Sequence, residues 1–168
     1  DKADPEWWKF LATQDLAAVT IHARTRKEMS KVPARFKRVK RAVEIRNELK
    51  SKTLILGNGD VVDLADARKK VEETGCDGVM LGRAIFGNPF LFSEKIVGTE
   101  EKLKVMLEHT KLFEELLGEV KSFAIMKKHY KAYVNNFEGA TELRAKLMET
   151  NTASEVEEIV NNFLKTGV

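Results

Sequence analysis

The stretch Thr53–Arg83, "TLILGNGDVVDLADARKKVEETGCDGVMLGR", decides the fold. It opens on a β-rich run, Thr53–Leu56, that meets Gly57-Asn58-Gly59-Asp60. It then carries an amphipathic run, Leu64–Thr74, with Gly75 in the position of a helix C-cap, and closes on a second β-rich run, Gly78–Leu81, that meets Gly82-Arg83. Strand, helix and strand in that order and at that length are one βαβ unit, which pairs its strands in parallel.

The pattern extends upstream. Asp4-Pro5 supplies an N-cap and a first-turn proline for a helix over Asp4–Leu16, and "AAVTIH", Ala17–His22, is a further strand. Phe36, Val39, Val43 and Ile45 give a helix over Ala34–Leu49 its apolar stripe. Downstream of Gly98 the strand signals stop. Helical periodicity marks Glu100–Leu117, Val120–Asn136, Ala140–Glu149 and Ser154–Lys165, punctuated by Gly118, Gly139 and Asn151-Thr152. The expectation is an α/β domain over 1–97, followed by an all-α domain over 98–168 built as an antiparallel four-helix bundle.

A chain of 168 residues can bury a core without staples, and its one cysteine, Cys76, cannot form an intrachain bridge. No leader and no apolar run of spanning length is visible, so a cytoplasmic protein with no membrane partner is expected. The formal charge of +3 says little, but its distribution says more. Arg24–Arg41 carries nine cations against Glu28 alone, and Lys121–Lys131 carries Lys127, Lys128 and Lys131 with no acid, so a polyanion would be met at these two places. A solvated helix face explains the Lys127 cluster equally well. Tyr130 and Tyr133 fall at helical spacing and are read as core, as is Cys76 behind its helix cap.

Parallel sheets bind ligands at the carboxyl ends of their strands. Here those ends read His22 with "ARTR", then "GNGD", then "GRAIFGNP". Gly57, Gly59 and Gly82 would leave backbone N–H groups bare for a phosphate, Arg83 would add a planar fork of donors, and the turn from Ala84 would aim its N-terminus at the same anion. Each residue also has a plainer use: glycine as a turn residue, His22 as a structural hydrogen-bonder, Asp60 as a cap. It is their recurrence at adjacent strand ends that favours a phosphate site.

These same residues resemble the tRNA-dihydrouridine synthases. The resemblance rests on "VTIHARTR" (19–26), "LGNGDV" (56–61), "ETGCDGVMLGRAIFGNPFLF" (73–92), "MKKHYKAYV" (126–134) and "GATELRAKL" (139–147), which cover nearly the whole chain in order. It implies the last three strands of an FMN-binding (β/α)8 barrel of TIM type and a helical domain that grips tRNA. The family reduces uridine to 5,6-dihydrouridine, with NADPH as reductant. By resemblance, His22, Asn58, Gly59, Asp60, Gly82 and Arg83 would contact the FMN. If tRNA is the partner, the cations singled out above, Arg24, Arg26 and Lys27 on the flavin-side loop and Lys127, Lys128 and Lys131 on the helical domain, are the candidates to meet it.

Two departures temper the likeness. Ala23 stands where the family's His-Gly-Arg-Thr-Arg has glycine, a mild change if the local φ is negative. Further, the match begins at the family's sixth strand, so the first five strands and the proton-donor cysteine they carry have no counterpart. Cys76 does not match that position, and no catalytic residue or metal ligand is assigned. The resulting expectation is a chain inactive by itself and binding FMN weakly or not at all, with its open half-barrel covered by a second copy or a complementary N-terminal half. The alternative is a noncatalytic RNA-binding or assembly module that keeps the fold. Asp1 in place of an initiator methionine points to processing or a cut chain.

Overall fold

A computed structural model describes residues 4–93 and 95–165. They divide into two compact units, and the division falls in the chain between Ala84 and Ile85. The first unit is α/β. Its elements are α1 (Asp4–Ala12), β1 (Ala18–His22), α2 (Lys37–Glu48), β2 (Leu54–Asn58), α3 (Leu64–Thr74) and β3 (Gly78–Met80), and the strands form one parallel sheet in the order β1-β2-β3.

Period-two alternation assigns the two faces of this sheet. Val19, Ile21, Ile55 and Val79 turn toward the helices, joining Phe36, Val39, Ala42 and Val43 of the α2 region, Val71 of α3, and Cys76 in one apolar cluster. The opposite face carries rows set by the strand register: Ala18 beside Leu54, Thr20 beside Leu56 and Gly78, His22 beside Asn58 and Met80. Among the described residues no helix of the first unit covers that face, and Leu54 and Met80 are each 48% exposed on it.

Several boundaries differ from expectation for identifiable reasons. α1 stops at Ala12 because Thr13 turns its N–H and hydroxyl back to the Phe10 carbonyl and Asp15 adopts φ 53°. α2 begins at Lys37, not Ala34, because the Ala34 N–H donates to Asp60 and the Arg35 N–H to the Ala23 carbonyl, so these groups tie down the preceding loop. β2 runs on through Gly57 and Asn58, since the pairing with His22 and Met80 continues there. α3 has the expected bounds, and Gly75 closes it as read, at φ 69°; its start is capped by Asp63, which accepts the Asp66 N–H at 2.7 Å.

The second unit contains α4 (Thr99–Leu117), α5 (Lys127–Tyr133), α6 (Ala140–Leu147) and α7 (Ala153–Lys165) around a shared core that includes Leu103, Met106, Met126, Tyr130, Leu143, Leu147, Val156 and Val160. The single helix expected over Val120–Asn136 is broken. A turn after Gly118 leads to Ser122, whose hydroxyl accepts the Ala124 N–H. A 3-10 turn over Phe123–Met126 follows, and α5 then ends where Val134 leaves helical geometry and Asn136 takes φ 60°. Tyr130 and Tyr133 are buried, as read. Among the described residues no helix is long and apolar enough to cross a membrane.

Candidate functional site

The carboxyl ends of β1, β2 and β3 open on a cleft of about 210 Å3 whose lining includes His22, Asn58, Gly59, Asp60, Gly82 and Arg83. The structure thus gathers residues from three separate strand ends. His22, Asn58 and Met80 stand in one register row, and the Asn58 side-chain amide donates to the Met80 carbonyl at 2.8 Å, bracing β2 against β3.

Asp60 is the cleft's internal anchor. It holds φ 52°, and its carboxylate accepts from the Arg24 guanidinium, from the Ala34 N–H at 2.9 Å and from Arg83 Nη2 at 3.0 Å. The Arg24 hydrogen bond is the main cause holding the Asp60 carboxyl below the usual carboxylate range, helped by the Ala34 N–H and the nearby Arg83 charge and opposed by desolvation. Asp60 therefore does not cap α3, a task that falls to Asp63 three residues on. Arg83 is fixed along one edge while its side chain stays 66% exposed, so the rest of the fork can meet an anion.

The glycines divide by role. At Gly59, φ is +123° and an added Cβ would lie 2.9 Å from the Ala34 Cβ and 3.2 Å from the His22 ring, so only glycine leaves this backbone bare beside the histidine. Gly82 has open space around it. Gly57, expected to serve the anion, faces inward: a Cβ there would meet the Phe36 ring at 2.6 Å. Its missing side chain is filled by the core.

Arg24 also departs from expectation. Read as an RNA contact, its side chain is only 5% exposed and is committed to Asp60 and the Val32 carbonyl. Arg26, Lys27, Lys128 and Lys131 are exposed, and Lys127 is half-buried. Ala23 is fully buried, lacks the positive φ that would demand glycine, and donates its N–H to the Asn58 carbonyl at 2.8 Å. Cys76 is 3% exposed with its Sγ 3.2 Å from the Gly78 carbonyl, a core residue. Ser30, Val61 and Met80 also line the cleft. Met80 was findable from strand alternation two residues before Gly82, whereas Ser30 arrives by a loop that turns back and carries no sequence signal.

Comparison with known proteins agrees with this arrangement. The family model described as dihydrouridine synthase matches residues 6–166. Probable tRNA-dihydrouridine synthases of Staphylococcus epidermidis and Staphylococcus aureus are 37% identical over 161 residues, covering 94% of this chain and 49% of each relative. Probable tRNA-dihydrouridine synthase 2 of Bacillus subtilis is 36% identical over 161 residues, covering 94% of this chain and 50% of that protein. The chain spans about half the length of the curated relatives it matches. With a family match that runs from α1 to the end of α7 and takes in every strand end of the cleft, the chain belongs to the dihydrouridine synthase family.

Proposed function

We propose that this chain is the C-terminal portion of a flavin-dependent tRNA-dihydrouridine synthase, and that its cleft holds the phosphate of FMN. The observation that carries the reading is the convergence of His22, Gly59, Gly82 and Arg83 in one cleft, with Arg83 held in place by Asp60. The donor set suits a phosphate: a guanidinium fixed along one edge, a histidine, and backbone at Gly59 and Gly82 without side chains over it. A cleft of about 210 Å3 has room for the phosphate end but does not enclose a three-ring flavin, and enclosure supplies much of a small ligand's affinity.

When bound, FMN would supply the hydride, drawn from NADPH, for reduction of the uracil ring. The residues of this chain bind and orient: Arg83 and the Gly59 and Gly82 backbone hold the anion, His22 lies beside them, and Asn58 keeps β2 and β3 in register. Cys76 is not placed to be the general acid that uracil reduction needs, because its buried thiol is turned to the Gly78 carbonyl. Alone, the chain is inactive and holds FMN weakly. Its open sheet face is covered by a complementary N-terminal half or by a second copy. RNA is met by Arg26 and Lys27 near the cleft, and by Lys128 and Lys131 on α5.

The deciding experiment is a flavin fluorescence titration with FMN and with riboflavin, first on this chain and then with the first half of a bacillary or staphylococcal relative added in trans. FMN uptake with NADPH oxidation only in the mixture, a preference for FMN over riboflavin, and loss of that preference in Arg83→Gln are expected. Equal binding of both flavins, or an Arg83→Gln variant indistinguishable from the parent, would reject the phosphate clasp. One tightly held flavin per isolated chain would reject the need for the other half.

A further inference from the structure

The second unit has a cleft of its own, about 430 Å3, that the flavin reading leaves unused. Its wall is a run of rings. Phe86 meets His129 edge-on with centroids 5.2 Å apart, His129 meets His109 at 4.9 Å, and His109 meets Tyr133 at 6.0 Å, with interplanar angles of 65–66°. Leu112 from α4 supplies an aliphatic side, 53% exposed, and Phe86 is 47% exposed, so the rings are reachable from solvent. The wall is rigidly backed at Gly87, whose φ of +72° lets the chain pass so close to α5 that a Cβ would lie 2.0 Å from the Ala132 carbonyl oxygen.

The electrostatics select among occupants. Burial lowers the proton affinity of both His109 and His129, and the neighbouring imidazole and the Lys128 ammonium lower that of His129 further. Both rings are therefore neutral near pH 7; His109 Nδ1 lies 3.4 Å from the Tyr133 hydroxyl, which leaves its Nε2 and the nitrogens of His129 for a ligand. Glu108 lines the same cleft, so its interior repels an anion. A cation stands outside: Lys128 is exposed next to His129 and acts on its charge. A planar, neutral, hydrogen-bonding group with an anion attached satisfies all of these at once, and an aliphatic side chain uses neither the ring nitrogens nor Lys128.

We propose that this cleft seats one unstacked nucleobase of a bound RNA, stacked against the His109–His129 wall, with Lys128 taking an adjoining phosphate. The proposal rests on the RNA-binding reading above and adds a base-binding subsite to it. It needs no particular base, because every base has a π face and ring-edge donors and acceptors.

The experiment follows the His109 and His129 ring-proton NMR signals of the full 168-residue chain while two probes are added, a short oligouridylate and an abasic oligomer of the same length and charge. The expected result is that oligouridylate moves both signals, whereas the abasic oligomer leaves His109 unmoved and moves His129 only slightly, through the phosphate at Lys128. Leu112→Trp, which fills the cleft, should weaken oligouridylate on the order of tenfold and leave the abasic oligomer unchanged. Lys128→Gln should weaken both probes, and it serves if the tryptophan variant fails to fold. Equal shifts from the two probes, or an unchanged affinity in Leu112→Trp, would overturn the base subsite. If tRNA binds with a steep salt dependence while oligouridylate leaves both signals unmoved, the subsite is wrong and the RNA reading stands. If tRNA does not bind at all, the RNA reading fails and takes the subsite with it.

Discussion

Asp60 shows how much can hang on one carboxylate. It sits at φ 52°, a conformation that Asn tolerates about as well, so Asp60→Asn removes the charge while leaving the backbone alone. The variant leaves the buried Arg24 guanidinium without its counter-charge. A fully buried pair would cost more, but Asp60 is 34% exposed and solvent screens part of the loss, so a destabilisation of about 1–2 kcal/mol is expected by urea unfolding. Its acid limb should change too. The folded carboxyl titrates below its ordinary 3.8, so its contribution is complete above that value and is lost as pH falls through the folded one. Asp60→Asn should therefore show a flatter decline in stability below about pH 4 than the parent. Gly87 is the sharper case: Gly87→Ala combines a positive φ with a backbone clash, and a loss of about 2–4 kcal/mol in the second unit is expected from the two costs together.

At the scale of elements, α3 is the best-specified piece of the first unit. Its two ends are set by single residues, Asp63 and Gly75, and Asp63→Ala should cost about 1 kcal/mol by thermal or urea denaturation without moving the strands. That element, the three parallel strands and the cluster at their carboxyl ends were legible because each depends on local chemistry: period-two apolar runs, glycine at φ > 0, a capping side chain. What was not legible depends on partners distant in sequence. α2 starts late because Asp60, 26 residues from Ala34, claims the Ala34 N–H. Gly57 reads as a loop glycine and is in fact a socket for Phe36. Arg24 reads as a surface cation and is a buried strut. The break between Gly118 and Lys127 was hidden because Phe123, Met126 and Tyr130 keep helical spacing across a 3-10 turn, which presents side chains on nearly the same face.

For the whole molecule, two features of the individual units set its response to conditions. In the second unit, His109 and His129 titrate below their ordinary value of 6.5 when folded, burial being the chief cause. The unfolded chain thus binds more protons between the folded and unfolded values. Stability is complete above about pH 6.5 and falls as the medium is acidified through the folded values. A melting temperature that drops from pH 7.5 to pH 5.5, with a smaller drop in His109→Phe, is the expected outcome. In the first unit, the uncovered sheet face carries Leu54 and Met80 half out of contact with protein. On the proposed half-barrel reading, Leu54→Lys with Met80→Lys should lower dye binding and self-association by light scattering, and should block complementation by the N-terminal half.

The Asp60 knot has a kinetic consequence as well. Its partners lie 36 and 23 residues away, at the ends of β1 and β3, so it can be tied only after both strands have docked on β2 in the correct register. Slip one strand by a residue and every side chain in the row changes face, leaving Arg24 or Arg83 unable to reach the carboxylate. The cleft is in this sense a checkpoint on assembly. On the proposed phosphate-binding reading, an anion that enters it would engage only correctly registered chains and by mass action draw the folding population toward them.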